Sequence, residues 1–350
     1  MRRALIVAPN WIGDAVMAQP LLSQLKKQGF IIDVVATPWV APIFQACSEV
    51  SQTIEADFKH GALGLKLRIA LAKQLKLHQY DAAYILPNSW KSALLPWLAK
   101  IPVRIGYIGE LRFGLITKSL PNPPKKNRPS MVAHYAALAN IGISQNNISE
   151  NHHPELIVSA QERTNAHLIA KNFLPQCDSF FILAPGAEYG PAKQWPLEHF
   201  AQLAINLIKA FPNTGIFITG SQKDWTNAQQ IIDQTTLEPE VKDRVKNLCG
   251  QISLSQSIAL ISIAKGIASN DSGMMHVAAA FGIAQVAFFG SSDPKHTPPL
   301  SPYANALWLG LDCSPCHQRQ CPLGHLRCLR DISPQLAFES LSKKISEKEG

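Results

Sequence analysis

Short runs rich in β-branched and aliphatic residues alternate with stretches of helical apolar spacing along almost the whole chain, and this alternation restricts the fold more than any other feature. In the first half, residues 5–8, 31–36, 82–86 and 103–107 read as strands, and 15–28, 62–77 and 89–100 as helices. The second half repeats the pattern, with strands at 180–184, 215–219 and 285–289 and helices at 197–211, 224–234 and 258–264. Strands separated by helices in this way build βαβ units and parallel sheets. The fold class is therefore α/β, and its ligands are expected beyond the carboxyl ends of the strands.

A chain of 350 residues exceeds the usual size of one compact domain. The weakest pattern lies at 140–154, rich in Asn and Ser and ending in His152-His153-Pro154. This divides the chain into a first domain at 1–155 and a second at 156–330, with the site expected in the cleft between them. Residues 120–129 hold four prolines and three basic residues, which makes them an exposed basic loop rather than helix or central strand.

Charge is divided unevenly. Residues 1–150 carry 17 Lys+Arg against 8 Asp+Glu, net +9, whereas 151–350 carry 16 against 17, net −1. The first half is thus suited to an acidic partner such as nucleic acid, an anionic membrane surface or a phosphorylated substrate, unless the bias is only a solvated surface. No nucleic-acid-binding module is recognisable. No apolar run reaches membrane-spanning length, and the signal-like start at Met1–Ala8 is stopped by Pro9, Asn10 and Asp14, so a cytoplasmic protein is expected.

Three stretches carry chemistry. Pro9-Asn10-Trp11-Ile12-Gly13-Asp14 follows the first strand. It holds one glycine rather than three, so it is not a dinucleotide fingerprint, and Asp14 is open to two roles, helix cap or general base. Pro20 inside the following helix should kink it or shift its start. Ala184 to Pro196 forms a loop with two glycines and three prolines, from which Lys193 can neutralise phosphate charge or stand as an ordinary surface lysine. Asn270-Asp271-Ser272-Gly273-Met274-Met275-His276 leads from an apolar run into a helix, with Asp271 or Ser272 as N-cap; such a helix start offers backbone N–H groups and a positive dipole end to an anion.

Gly13-Asp14, Pro191-Ala192-Lys193-Gln194-Trp195-Pro196 and Asn270 to His276, in this order and spacing, resemble the ADP-heptose:lipopolysaccharide heptosyltransferases, glycosyltransferase family 9. The last two stretches are most similar to the branch that adds the second heptose. The resemblance implies the GT-B architecture, two Rossmann-like domains facing across a cleft, and inverting transfer of L-glycero-D-manno-heptose from ADP-heptose to the first heptose of a lipid-linked Kdo-containing inner core. It also implies that the chemistry needs no metal, and that the protein works in the cytoplasm, peripheral at the inner face of the inner membrane and without nucleic acid.

By the same resemblance Asp14 is the general base, and Lys193 binds the diphosphate and stabilises departing ADP. Gly13, Glu188, Asp224, Asp271, Ser272, Gly273 and His276 complete the donor site, with Asp224 open equally to a capping role. Arg104, Arg112 and Lys118 are candidate acceptor contacts, with Lys125, Lys126 and Arg128 beside them. The alternatives are the family's first- or third-heptose enzymes, a nucleotide-sugar epimerase of the same architecture, or a basic nucleic-acid-binding protein.

Four of the seven cysteines cluster as Cys313-x2-Cys316-x4-Cys321-x6-Cys328, a spacing open to a structural zinc or to reduced loop thiols. Cys47, Cys177 and Cys249 read as buried apolar positions. Residues 334–348 form a last helix with Leu336, Phe338, Leu341 and Ile345 on one stripe, expected to pack back toward the first domain as a segment 331–350.

Overall fold

The computed structural model describes residues 2–58, 63–124, 128–141 and 153–350. The chain divides into two compact units, Met1–Ile157 and Val158–Gly350. Most of the 140–154 stretch, together with Lys125 and Lys126, lies outside the described residues.

The first unit holds six parallel strands: β1 (Arg2–Val7), β2 (Phe30–Ala36), β3 (Val50–Glu55), β4 (Ala82–Ile85), β5 (Val103–Tyr107) and β6 (Lys118–Leu120), in the order β3-β2-β1-β4-β5-β6. Ala4, Leu5 and Ile6 in central β1 are fully buried, so the strand reads as a continuous apolar run. The helix expected at 15–28 is two helices, Ile12–Met17 and Gln19–Lys27, meeting at Ala18. Pro20 causes the break: it sits in the first turn of the second helix, where its missing N–H costs nothing.

The second unit holds β7 (Ser179–Ala184), β8 (Thr214–Ile218), β9 (Val245–Asn247), β10 (Gly266–Asn270), β11 (Gln285–Phe289) and β12 (Ala304–Trp308), also all parallel. Their order, β12-β11-β10-β7-β8-β9, reads from the other edge as the same permutation found in the first unit. Each sheet therefore reverses direction of winding between its first and fourth strands, at β1/β4 and β7/β10, where doubly wound folds bind ligands.

The final helix, Pro334–Glu349, starts at Ser333, whose hydroxyl accepts from the Leu336 N–H. Its Ala337, Leu341 and Ile345 are buried in the second unit's core and Phe338 packs beside them, while Leu336 is exposed. The helix is part of the second unit, and the Ala337-Leu341-Ile345 stripe, spaced by four, is the face it buries there.

Candidate active site

The three motif stretches all follow a strand at a switch point. Asp14 follows β1, the Lys193 loop follows β7, and Asp271 follows β10.

In the second unit the Lys193 loop is pinned from both sides by Asn270 at the end of β10. Its side-chain oxygen accepts from the Trp195 N–H at 2.9 Å and its amide donates to the Pro185 carbonyl at 2.6 Å, so one buried residue holds the two ends of the loop. Trp195 is fully buried, stacked on Phe288 with ring centroids 3.9 Å apart, and its indole N–H donates to the Ile332 carbonyl. Thus the Gln-Trp-Pro end of the motif is structural. It anchors a short 3₁₀ turn, Pro191–Lys193, that presents the lysine.

Lys193 Nζ lies 2.5 Å from Asp271 Oδ2, with both side chains mostly buried. Ser292 donates its hydroxyl proton to the same carboxylate oxygen. Tyr189 lies beside two cations, with Lys193 Nζ 5.2 Å and the Arg319 guanidinium 5.4 Å from its ring centroid.

The helix Gly273–Ala280 begins at this cluster. Its N-cap is Ser272 and not Asp271, and no side chain caps it; the Ser272 hydroxyl is buried without a hydrogen-bond partner. The first-turn N–H groups are thus left for a ligand, with the dipole favouring an anion. His276, one turn in, is held down to about 4 by burial, with Asp271 raising and Lys193 lowering its pKa. It is a neutral imidazole at neutral pH.

The remaining donor candidates are placed differently. Asp224 takes the Ser221 N–H and hydroxyl on Oδ2, each at 2.8 Å, in a capping box. Its carboxylate also lies against Gly186 and Gly220, where an added Cβ would come within 2.9 and 2.8 Å of it. Glu188 forms an exposed pair with Lys223 at 2.9 Å.

In the first unit Asp14 occupies the first turn of Ile12–Met17, where the helix dipole favours its charge, next to Gly13. Among the acceptor candidates, Lys118 is exposed but the two arginines are structural. Arg112 is buried and donates to the carbonyls of Pro87 and Tyr107 and to Asn88 Oδ1. Arg104 donates to the carbonyls of Leu115, Ile101 and Gly114. Most of their donors go to backbone oxygens and one to Asn88 Oδ1, which holds the loop, while the buried Arg112 Nε has no hydrogen-bond partner.

Sequence reasoning passed over Asn270's stapling role, Ser292 and Ser291. Ser291, whose hydroxyl is buried and unpartnered, follows Gly290 at the end of β11. The available signal was Gly290-Ser291-Ser292 at a strand's carboxyl end, where small polar residues serve ligands.

The cysteine loop supports this region. The His317 N–H donates to the Ser291 carbonyl, the Ala192 N–H to that of Arg319, and the Tyr189 hydroxyl to that of His317. Cys313, Cys316, Cys321 and Cys328 are free thiols, and among the described residues no group of three or more His, Cys, Asp or Glu is arranged to hold a metal ion. Backbone N–H groups, first that of Leu326, lower the Cys321 pKa. Cys47 and Cys249 are buried as expected, but Cys177 is only partly so, lying beside Arg244.

Residues 68–327 match the model of glycosyltransferase family 9 (heptosyltransferase). The chain is 37% identical to lipopolysaccharide heptosyltransferase 2 of Salmonella typhimurium, over 99% of each chain. It is 35% identical to lipooligosaccharide heptosyltransferase 2 of Haemophilus influenzae, over 98% of this chain and 99% of that one. The structure of E. coli ADP-heptose LPS heptosyltransferase II superposes with a TM-score of 0.85 at 35% identity, covering 100% of both chains. A Veillonella parvula family 9 glycosyltransferase, TM-score 0.84 at 20% identity and covering 99% of this chain and 98% of that one, shares the fold. With its two six-stranded parallel sheets of one winding order, the chain belongs to glycosyltransferase family 9, the heptosyltransferases, and has the GT-B architecture.

Proposed function

We propose that this enzyme transfers L-glycero-D-manno-heptose from ADP-heptose to a hydroxyl of the first heptose of a lipid-linked, Kdo-containing inner core, inverting the anomeric centre. The observation that carries the reading is the Lys193-Asp271-Ser292 cluster at the uncapped start of Gly273–Ala280, in a chain 37% identical over its length to a heptosyltransferase 2.

In this mechanism Asp14 accepts the proton of the acceptor hydroxyl as its oxygen attacks the anomeric carbon and the bond to the ADP oxygen breaks. The electron pair leaves with ADP, whose diphosphate gains charge. Lys193 and the backbone N–H groups of Gly273 and its neighbours meet that charge. Asp271 would repel a diphosphate on its own. Lys193 sits on that carboxylate, so the ammonium bridges it to the phosphates and frees Asp271 for sugar hydroxyls. Gly13, Ser272, Gly273 and His276 line the donor site in this reading, His276 as a neutral hydrogen-bonding ring, and Ser292 orients Asp271. Asp224 contacts the donor only through the carboxylate oxygen its cap leaves over, and Glu188 lies at the rim. Lys118 remains the acceptor-binding cation of the original three.

Because the acceptor is lipid-linked, the enzyme works against the inner face of the inner membrane; among the described residues no helix is long and apolar enough to cross one. A structural zinc on Cys313, Cys316, Cys321 and Cys328 is a subsidiary proposal, supported by the Cys-x2-Cys start and by the backbone donors on Cys321. The thiols would have to draw together around the ion. Protein purified without chelator should then carry about one equivalent of zinc, and less than about half an equivalent ends the proposal.

The functional reading is tested by product analysis with ADP-heptose and inner-core acceptors bearing no, one or two heptoses. One heptosyl residue should be added, and only to the one-heptose acceptor. Release of free sugar without acceptor would instead indicate an epimerase, and transfer to the heptose-free acceptor the first-heptose enzyme.

A further inference from the structure

The loop between β5 and β6 packs Leu115 and Ile116 inward yet turns other apolar side chains outward. Arg112 reaches inward from its middle to the Pro87 and Tyr107 carbonyls and Asn88, and Arg104 secures its far side at the Gly114 and Leu115 carbonyls. Glu110 accepts from the Trp90 N–H at 3.3 Å, and Gly109 lies so close to the Asn88 carbonyl that an added Cβ would stand 2.5 Å from it. A loop stapled at this many points has little freedom to fold its side chains away. Leu111 and Phe113, on either side of buried Arg112, are nevertheless 84% and 86% exposed, and Ile108 is 50% exposed.

The charge around these residues selects the partner. In sequence, residues 91–130 hold eight basic residues against Glu110 alone, net +7; of these Arg104 and Arg112 are spent on the loop itself, and Lys125 and Lys126 lie outside the described residues. Lys100, Lys118 and Arg128 are exposed. An apolar wedge in a field of one sign fits an anionic bilayer, where the aliphatic and aromatic groups enter the acyl boundary and the cations meet phosphate headgroups. A second copy of this chain would instead bring the same positive field against itself.

We propose that Leu111 and Phe113 insert into the anionic membrane surface and, with the exposed cations Lys100, Lys118 and Arg128, dock the enzyme there. This deepens the proposed function, since it rests on the lipid-linked acceptor to say why docking serves the reaction. Docking by this loop brings the first unit to the surface where such an acceptor lies.

The test is sedimentation of the full-length protein with vesicles of phosphatidylcholine alone or mixed with phosphatidylglycerol, comparing the parent with the Leu111→Ser, Phe113→Ser double variant. The parent should bind the mixed vesicles, and the variant should lose about tenfold or more of that binding. Its thermal unfolding midpoint should stay that of the parent, because both side chains are exposed, and its turnover with a short-chain, water-soluble acceptor, which needs no docking, should stay within a few-fold of the parent. Equal binding by parent and variant overturns the proposal, as does a parent that ignores anionic vesicles. Dissociation of a dimer by the substitutions with vesicle binding intact overturns it in favour of a second copy. Loss of transfer by the parent itself counts against the proposed function and leaves the vesicle result free to decide the loop.

Discussion

The Lys193 loop in the second unit and the Arg112 loop in the first are built by one device with opposite results. Each is a strand-following loop held by buried side chains that hydrogen-bond to backbone atoms. In the second unit the holding is done by neutral groups, Asn270 and Trp195, which leaves the cation over: among the described residues Lys193 has only Asp271 as its ionic partner. In the first unit the cations themselves hold the loop, and Arg104 and Arg112 have their donors on carbonyls. A basic residue at the end of a strand is therefore informative only once the fate of its donors is known. What is left over differs too, a proposed anion site in one unit and two bare apolar side chains in the other.

This contrast predicts a separation of effects. Lys193→Ala should lower kcat by roughly 10²–10³-fold, as loss of a group meeting transition-state charge does. Steady-state rates corrected to the folded fraction would measure it, and a variant within threefold of the parent would make Lys193 an ordinary partner of Asp271.

Arg112→Ala should do the reverse. It strands three acceptors and costs about 3 kcal/mol of unfolding free energy by denaturant titration, with turnover per folded molecule within a few-fold of the parent. Arg112→Lys should recover little of this, because an ammonium cannot span the three acceptors that the guanidinium fork reaches. A stable Arg112→Ala variant that loses transfer would return Arg112 to the acceptor site.

A third effect, comparable in size, concerns pH. His276 titrates at about 4 when folded and near 6.5 when unfolded, so between these values the unfolded chain binds more protons and stability falls as pH is lowered. The loss begins below about 6.5 and is complete near 4, on the order of 3 kcal/mol in all. Unfolding of the parent and of His276→Gln across this window should diverge by that amount, and parallel curves would show that the ring is not held neutral.

The α/β alternation and the three motifs were legible because their strands are buried on both faces and their loops carry Gly, Pro and Asp. Strand β10 was not. Gly266-Ile267-Ala268-Ser269-Asn270 continues the apolar run of the preceding helix, so periodicity could not separate the two. Edge strand β3, Val50–Glu55, was missed because its exposed Ser51, Gln52 and Glu55 remove the apolar signal. At the site, the spacing of Lys193 and Asp271 from their strands was readable, but their 2.5 Å pairing depends on β7 and β10 being neighbours, a tertiary fact. The same holds for Arg112, whose sequence neighbours Leu111 and Phe113 suggest nothing of its burial.

The most direct test of the account is Asp14→Asn, which keeps the side chain's size and removes its capacity as a base. Transfer from ADP-heptose to the one-heptose acceptor should fall by roughly 10²–10⁴-fold while ADP affinity, read by calorimetry, stays within about twofold of the parent. A variant that turns over like the parent would contradict the assignment of the base and, with it, the mechanism.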